Sequence, residues 1–129
     1  MKTIPTMLLV DDDADFIFQH KAKLEKLNFN VMEASSVSEA LQVMETQKPD
    51  IAIIDLMMDE MDDGFVLAHH IKKRNPEIPI IMATAVAFAT GYEFHKESAE
   101  RKNWIKVDVI LPKPLRFEQL KTEMKKLGY

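Results

Sequence analysis

Residues 7–16 read MLLVDDDADF. Four apolar residues without a polar break run into three consecutive aspartates. An uninterrupted apolar run is what a β-strand covered on both faces requires, as in a parallel sheet sandwiched between helices. Beyond the acids the period changes: Phe16, His20, Leu24 and Leu27 recur at helical spacing and make one apolar stripe. The stretch therefore predicts a strand, a turn and an amphipathic helix, the first unit of an α/β fold. Asp11, Asp12 and Asp13 fall at the junction. Taken alone, such a run is a turn or a helix cap, and its like charges repel unless something offsets them.

The same alternation continues along the chain. NFNVMEA (28–34) reads as a second strand, and Ser36 with Glu39 as a capping box opening a helix whose stripe is Val37, Ala40, Leu41 and Met44. Lys48-Pro49-Asp50 stops that helix. IAIID (51–55) is the third strand, followed by the loop LMMDEMDDG (56–64) and a helix from about Phe65 to Asn75. IPIIMATA (78–85) and VDVILPKP (107–114) are the fourth and fifth strands. RFEQLKTEMKKLG (116–128) is a last helix with Phe117, Leu120, Met124 and Leu127 facing inward. The region 86–106 predicts a helix around residues 93–103. Five β–α units in succession imply a five-stranded parallel sheet with helices on both faces and right-handed crossovers.

Composition narrows the class of protein. The 129 residues suit one domain, and 47% apolar content is that of a folded chain. Lys plus Arg number 17 against 21 Asp plus Glu, a formal charge of −4, which argues against a broad nucleic-acid footprint. There is no cysteine, so disulfides, thiolate metal sites and cysteine nucleophiles are excluded, and a reducing cytoplasm is compatible. No apolar run reaches the ~18 residues of a membrane span, and the N-terminus lacks a signal-peptide core.

In an open α/β sheet, ligands bind beyond the carboxyl ends of the strands. Strand 1 ends at Asp11, Asp12 and Asp13, strand 3 at Asp55, strand 4 at Thr84 and strand 5 at Lys113. Clustered carboxylates suit a hard divalent cation, and Mg²⁺ takes one or two of them while keeping waters. A cation leaves room for a phosphate oxygen, and a lysine adds a point charge for the same group. With phosphate held in this way, one carboxylate can act as nucleophile.

LLVDDD, IAIIDLMM, IMATA and LPKP, in this order and spacing, resemble the receiver domain of two-component response regulators, and the resemblance covers the whole chain, 1–129. It implies a flavodoxin-like fold with strand order 2-1-3-4-5. It implies Asp55 as phosphoacceptor and as one of the metal-holding residues, Asp12 as a direct Mg²⁺ ligand, Asp11 as acting through water or helping to hold the metal, and the backbone carbonyl of Met57 as completing the protein ligands. Lys113 would bind the phosphoryl group and Thr84 would report its presence. Asp13, one beyond the acidic pair, is expected to cap the first helix, and Lys113 to precede a cis proline. A sensor histidine kinase or phosphotransfer protein is the implied donor, and the implied location is the cytoplasm. Output would go through a protein target or a homodimer formed by the last two strand–helix units, with no nucleic acid or membrane contacted. The domain would act as a regulator, not as an enzyme on other substrates.

Some positions depart from the family. Asp59 stands where a proline is usual, and MDDG (61–64) has one extra residue. Ile110 occupies the position of the switch aromatic, and the stretch from Thr84 to Lys113 is long, with Phe88, Tyr92, Phe94 and Trp104. Met57 and Val86, at positions that tune phosphate lifetime, are apolar and predict slow autodephosphorylation. Two rival readings remain: a receiver-like binding module that works without phosphorylation, and a Mg²⁺-dependent phosphohydrolase, which lacks a substrate cap. His69 and His70, adjacent on a helix, point in different directions and read as a rim and a surface residue.

Overall fold

Strands β1 (Thr6–Val10), β3 (Ile51–Asp55) and β4 (Ile80–Thr84) are buried along their whole length, as their apolar runs demand. The computed structural model describes residues 4–60, 62–85 and 107–129. Within them β2 (Asn30–Ala34) and β5 (Val109–Pro112) complete a five-stranded sheet. Its order is β2-β1-β3-β4-β5 and every pair is parallel. The edge strands β2 and β5 are only partly buried.

Four helices accompany the sheet among the described residues: α1 (Ala14–Lys26), α2 (Val37–Thr46), α3 (Asp63–Arg74) and α4 (Phe117–Lys126). Side-chain alternation along the strands sends residues to two separate cores. Leu8, Val10, Ala52, Ile54, Ile80 and Met82 meet α2 and α3 through Ala40, Phe65, Leu67 and Ile71. Met7, Leu9, Ile51, Ile53 and Ile81 meet α1 and α4 through Ile17, Leu24, Leu120 and Met124. Full burial of one Leu or Ile contributes about 2 kcal/mol. Helices of 10 to 13 residues are marginal in isolation, so this two-sided core is what holds them.

Local signals act where the sequence places them. Asp13 caps α1, its Oδ1 accepting from the N–H groups of Asp15 at 2.9 Å and Phe16 at 3.3 Å. Ser36 Oγ accepts from Glu39 N–H at 3.1 Å. The reciprocal bond of that capping box slips by one residue, since Glu39 Oε1 accepts from Ser35 N–H. Several boundaries differ from the sequence reading, and three of the differences have a local cause. β2 begins at Asn30 because Asn28, at φ 68°, turns the chain first. β5 ends at Pro112, before the cis Lys113–Pro114 bond. α3 begins at Asp63, two residues before Phe65, because Gly64 N–H donates to Leu56 O at 2.7 Å and draws the helix start onto the end of β3. Asp62 makes no side-chain cap there; Asp63 Oδ2 accepts from Glu60 N–H at 2.9 Å instead. The helix expected around 93–103, Val86, and the aromatics Phe88, Tyr92, Phe94 and Trp104 lie outside the described residues.

Candidate phosphoryl and metal site

The parallel register brings the ends of β1, β3, β4 and β5 to one edge of the sheet. Asp11, just past β1, is 1% exposed, and its N–H extends the ladder to Ala34 O at 3.1 Å. Its carboxylate is shared. Oδ1 accepts from Asp13 N–H at 2.9 Å, and Oδ2 accepts from Lys113 Nζ at 2.7 Å. Asp55, the last residue of β3, is 6% exposed and lies 3.3 Å from the same ammonium through Oδ1. Lys113 is placed by its own backbone, whose N–H donates to Thr84 O at 2.8 Å. Thr84 is buried at the end of β4. Asp12 is exposed, and Met57 lies exposed two residues beyond Asp55.

Carboxylate oxygens of Asp11, Asp12 and Asp55 lie within 4.8 Å of one another. Three oxygen donors, two buried and one open to solvent, suit a hard divalent cation with an entry route past Asp12. The groove beside Asp12, about 600 Å³ between α1 and the β2–α2 junction, also exposes Phe18 and Lys21.

The surroundings displace the titration of Asp55 and of Lys113 upward. Burial, then the charge of Asp11, pushes the Asp55 carboxyl up from 3.8 to about 6, against the charge and hydrogen bond of Lys113; Asp12 adds to the rise. Burial pulls the Lys113 ammonium down, but the hydrogen bond and charge of Asp11, and then those of Asp55, outweigh it and hold it above the ordinary lysine value. The raised Asp55 makes stability depend on pH. Between 3.8 and about 6 the unfolded chain has released this proton while the folded chain keeps it, so this residue's contribution falls as pH rises through that window. The gap corresponds to about 3 kcal/mol. Asp55→Asn is therefore expected to be more stable than the wild type by up to about 3 kcal/mol at pH 7 without divalent cations, and no more stable below pH 4. Urea denaturation at the two pH values checks this; the same difference at both would contradict it.

The residues picked from strand ends thus meet: Asp11, Asp12, Asp55 and Lys113 form one cluster, with Thr84 bonded to the backbone of Lys113. Asp13 stands apart as the cap. Two neighbours escaped the sequence reading. The ring of Phe16 lies under Lys113 Nζ at 4.5 Å from its centroid. His20, which shows no partner in the sequence, donates from Nδ1 to Phe16 O at 2.9 Å and stacks on the Phe16 ring at 4.1 Å. Both belong to the apolar stripe of α1, a signal indistinguishable from plain core. His69 is half-buried and His70 exposed, the rim and surface positions expected of them.

This fold and this cluster at its carboxyl edge agree with the comparison with known proteins. Residues 7–125 match the response regulator receiver domain family, and the chain belongs to it. The transcriptional regulatory protein GlrR of Escherichia coli (strain K12) is 40% identical over 79 residues, which cover 61% of this chain and 18% of that protein. The transcriptional regulatory protein ZraR of the same organism is 33% identical over 121 residues, covering 93% of this chain and 25% of that protein. The chain thus spans a quarter or less of either relative. The crystal structure of a CheY-like response regulator receiver domain protein from Methanospirillum hungatei JF-1 superposes with a TM-score of 0.78 at 25% identity, covering 98% of this chain and 95% of that one. Among the described residues no helix is long and apolar enough to cross a membrane.

Proposed function

We propose that the chain, as a single receiver domain over 1–129, takes a phosphoryl group onto Asp55 from a phosphohistidine on a sensor kinase or phosphotransfer protein. The observation that carries this reading is one buried carboxylate, Asp55, sharing an ammonium with Asp11 beside a third acid, Asp12. An ionised Asp55 oxygen attacks phosphorus; the O–P bond forms as the P–N bond breaks, and the electron pair leaves on the imidazole nitrogen. Asp11, Asp12 and Asp55, with the Met57 carbonyl, are the residues that would hold Mg²⁺, which when bound offsets the charge of the acids and of the incoming phosphoryl oxygens. Lys113 gives up Asp55 Oδ1 for a phosphoryl oxygen while Asp11 keeps its Nζ anchored. The Thr84 hydroxyl donates to another phosphoryl oxygen, and because Thr84 O holds the Lys113 N–H, that movement reaches β4 and β5 together.

Ile110 packs half-buried on the α2–α3 side of the sheet, so an aromatic swing is replaced by a shift of these two strands. The output would be contact with a protein target, or a homodimer through the last two strand–helix units, in the cytoplasm and without direct DNA binding. Incubation with acetyl phosphate and Mg²⁺, followed by intact mass measurement, tests the proposal. One added phosphoryl group, absent in Asp55→Ala, is expected. No addition would leave a phosphorylation-independent binding module as the better reading, and rapid multiple turnover would favour a phosphohydrolase.

A further inference from the structure

We propose that Phe16 is a positioning residue for Lys113: its ring face is a shelf that holds the ammonium while it changes partners from Asp55 to the phosphoryl group. This rests on the reading of Asp55 as phosphoacceptor. Lys113 Nζ lies 4.5 Å from the Phe16 centroid, close enough for the ring quadrupole to attract the cation, and the lysine side chain is only 20% exposed, so water screens that attraction weakly. The shelf is itself fixed twice. Asp13 Oδ1 accepts from the Phe16 N–H at the start of α1. The His20 ring stacks on the Phe16 ring at 4.1 Å, with an interplanar angle of 27°, and its Nδ1–H is bonded to Phe16 O.

The chemistry favours a ring in this place over a third carboxylate. Lys113 already contacts Asp11 at 2.7 Å and Asp55 at 3.3 Å. Another anion would compete with the phosphoryl oxygens for its protons. A ring face attracts the charge without accepting a directional hydrogen bond, so it does not tie Lys113 to one partner. It also keeps water from that side of the ammonium, which strengthens the contacts that Lys113 makes with oxygen.

The test replaces Phe16 by mono-, di- and trifluorophenylalanine, which keep the shape of the ring while draining its face of negative charge. In variants that circular dichroism shows to remain folded, the rate of phosphoryl uptake from acetyl phosphate with Mg²⁺ is expected to fall stepwise, by about tenfold at the trifluoro ring. A rate flat across the series overturns the proposal. A second readout does not depend on phosphorylation. The Lys113 ε-methylene protons, assigned by their loss in Lys113→Met, should be shifted upfield by the ring current, and the shift should vanish in Phe16→Leu. An unshifted signal in the wild type overturns the contact itself. A wild type that shows the shift but takes up no phosphoryl group overturns the functional reading, and the positioning role with it.

Discussion

Lys113→Met is expected to lose about 3–5 kcal/mol of stability at pH 7 in the absence of divalent cations. Methionine keeps an unbranched apolar stem of similar length, so the loss reports the charge and not a cavity. The side chain of Asp11 is fully buried and that of Asp55 is 7% exposed, and both direct an oxygen at the one ammonium. Without it, two buried carboxylates face each other unpaired. The sign with pH follows from Asp55. Lys113 works to lower the Asp55 pKa, so its removal raises that value further above about 6. Acid then neutralises the carboxyl and relieves the repulsion, so the gap to the wild type narrows as pH falls toward 5. Mg²⁺ neutralises the same oxygens and should restore more stability to the variant than it adds to the wild type. Urea denaturation with and without Mg²⁺ measures both effects. A variant within 1 kcal/mol of the wild type would mean that Asp11 and Asp55 are not sharing the cation.

Gly64→Ala is the second large effect, and it has no charge in it. A Cβ at this position would lie 2.5 Å from Asp55 O, 2.6 Å from Leu56 Cα and 2.7 Å from Met82 Sδ. Alanine in place of glycine ordinarily stabilises a helix by ~1 kcal/mol. Here two of the three obstacles are backbone, so either α3 or the end of β3 must move. The expected net loss is about 3 kcal/mol, together with weakening of the Gly64 N–H bond to Leu56 O. Phosphoryl uptake should drop as well, because a shift of about 1 Å in a reacting group can cost a hundredfold in rate. Met82→Ala, which removes the sulfur together with Cγ and Cε, leaves both backbone obstacles in place and should not rescue either defect. Chemical denaturation and uptake from acetyl phosphate, on the single and double variants, provide the check.

These two residues also mark what a sequence can and cannot disclose. β1, β3 and β4 are legible because strands buried on both faces leave continuous apolar runs, MLLV, IAII and IIMA. The cluster is legible once β5 is added to them: with four strands placed in parallel, Asp11, Asp12, Asp55, Thr84 and Lys113 must share an edge. Asp13 is legible because capping is local. Gly64 is not, since its need for a missing side chain comes from Asp55, Leu56 and Met82 on other elements. The start of α3 is hidden with it, as the acidic loop carries no apolar periodicity. Phe16 escapes notice because a ring under a cation and a ring in a core occupy the same stripe of a helix. His20 is the sharper case. Its partners, a backbone oxygen and a ring face, are one turn away and leave no mark in residue identity.

The hydrogen bond between Lys113 and Asp11 spans 102 residues of chain. Such a contact forms only after the strands have found their order, and parallel sheets rich in distant pairings assemble slowly. A chain in which β5 has not joined the sheet holds the acids of the site without the Lys113 ammonium beside them. The charges of Asp11 and Asp55 are thus balanced by Lys113 only when the fifth strand closes onto β4.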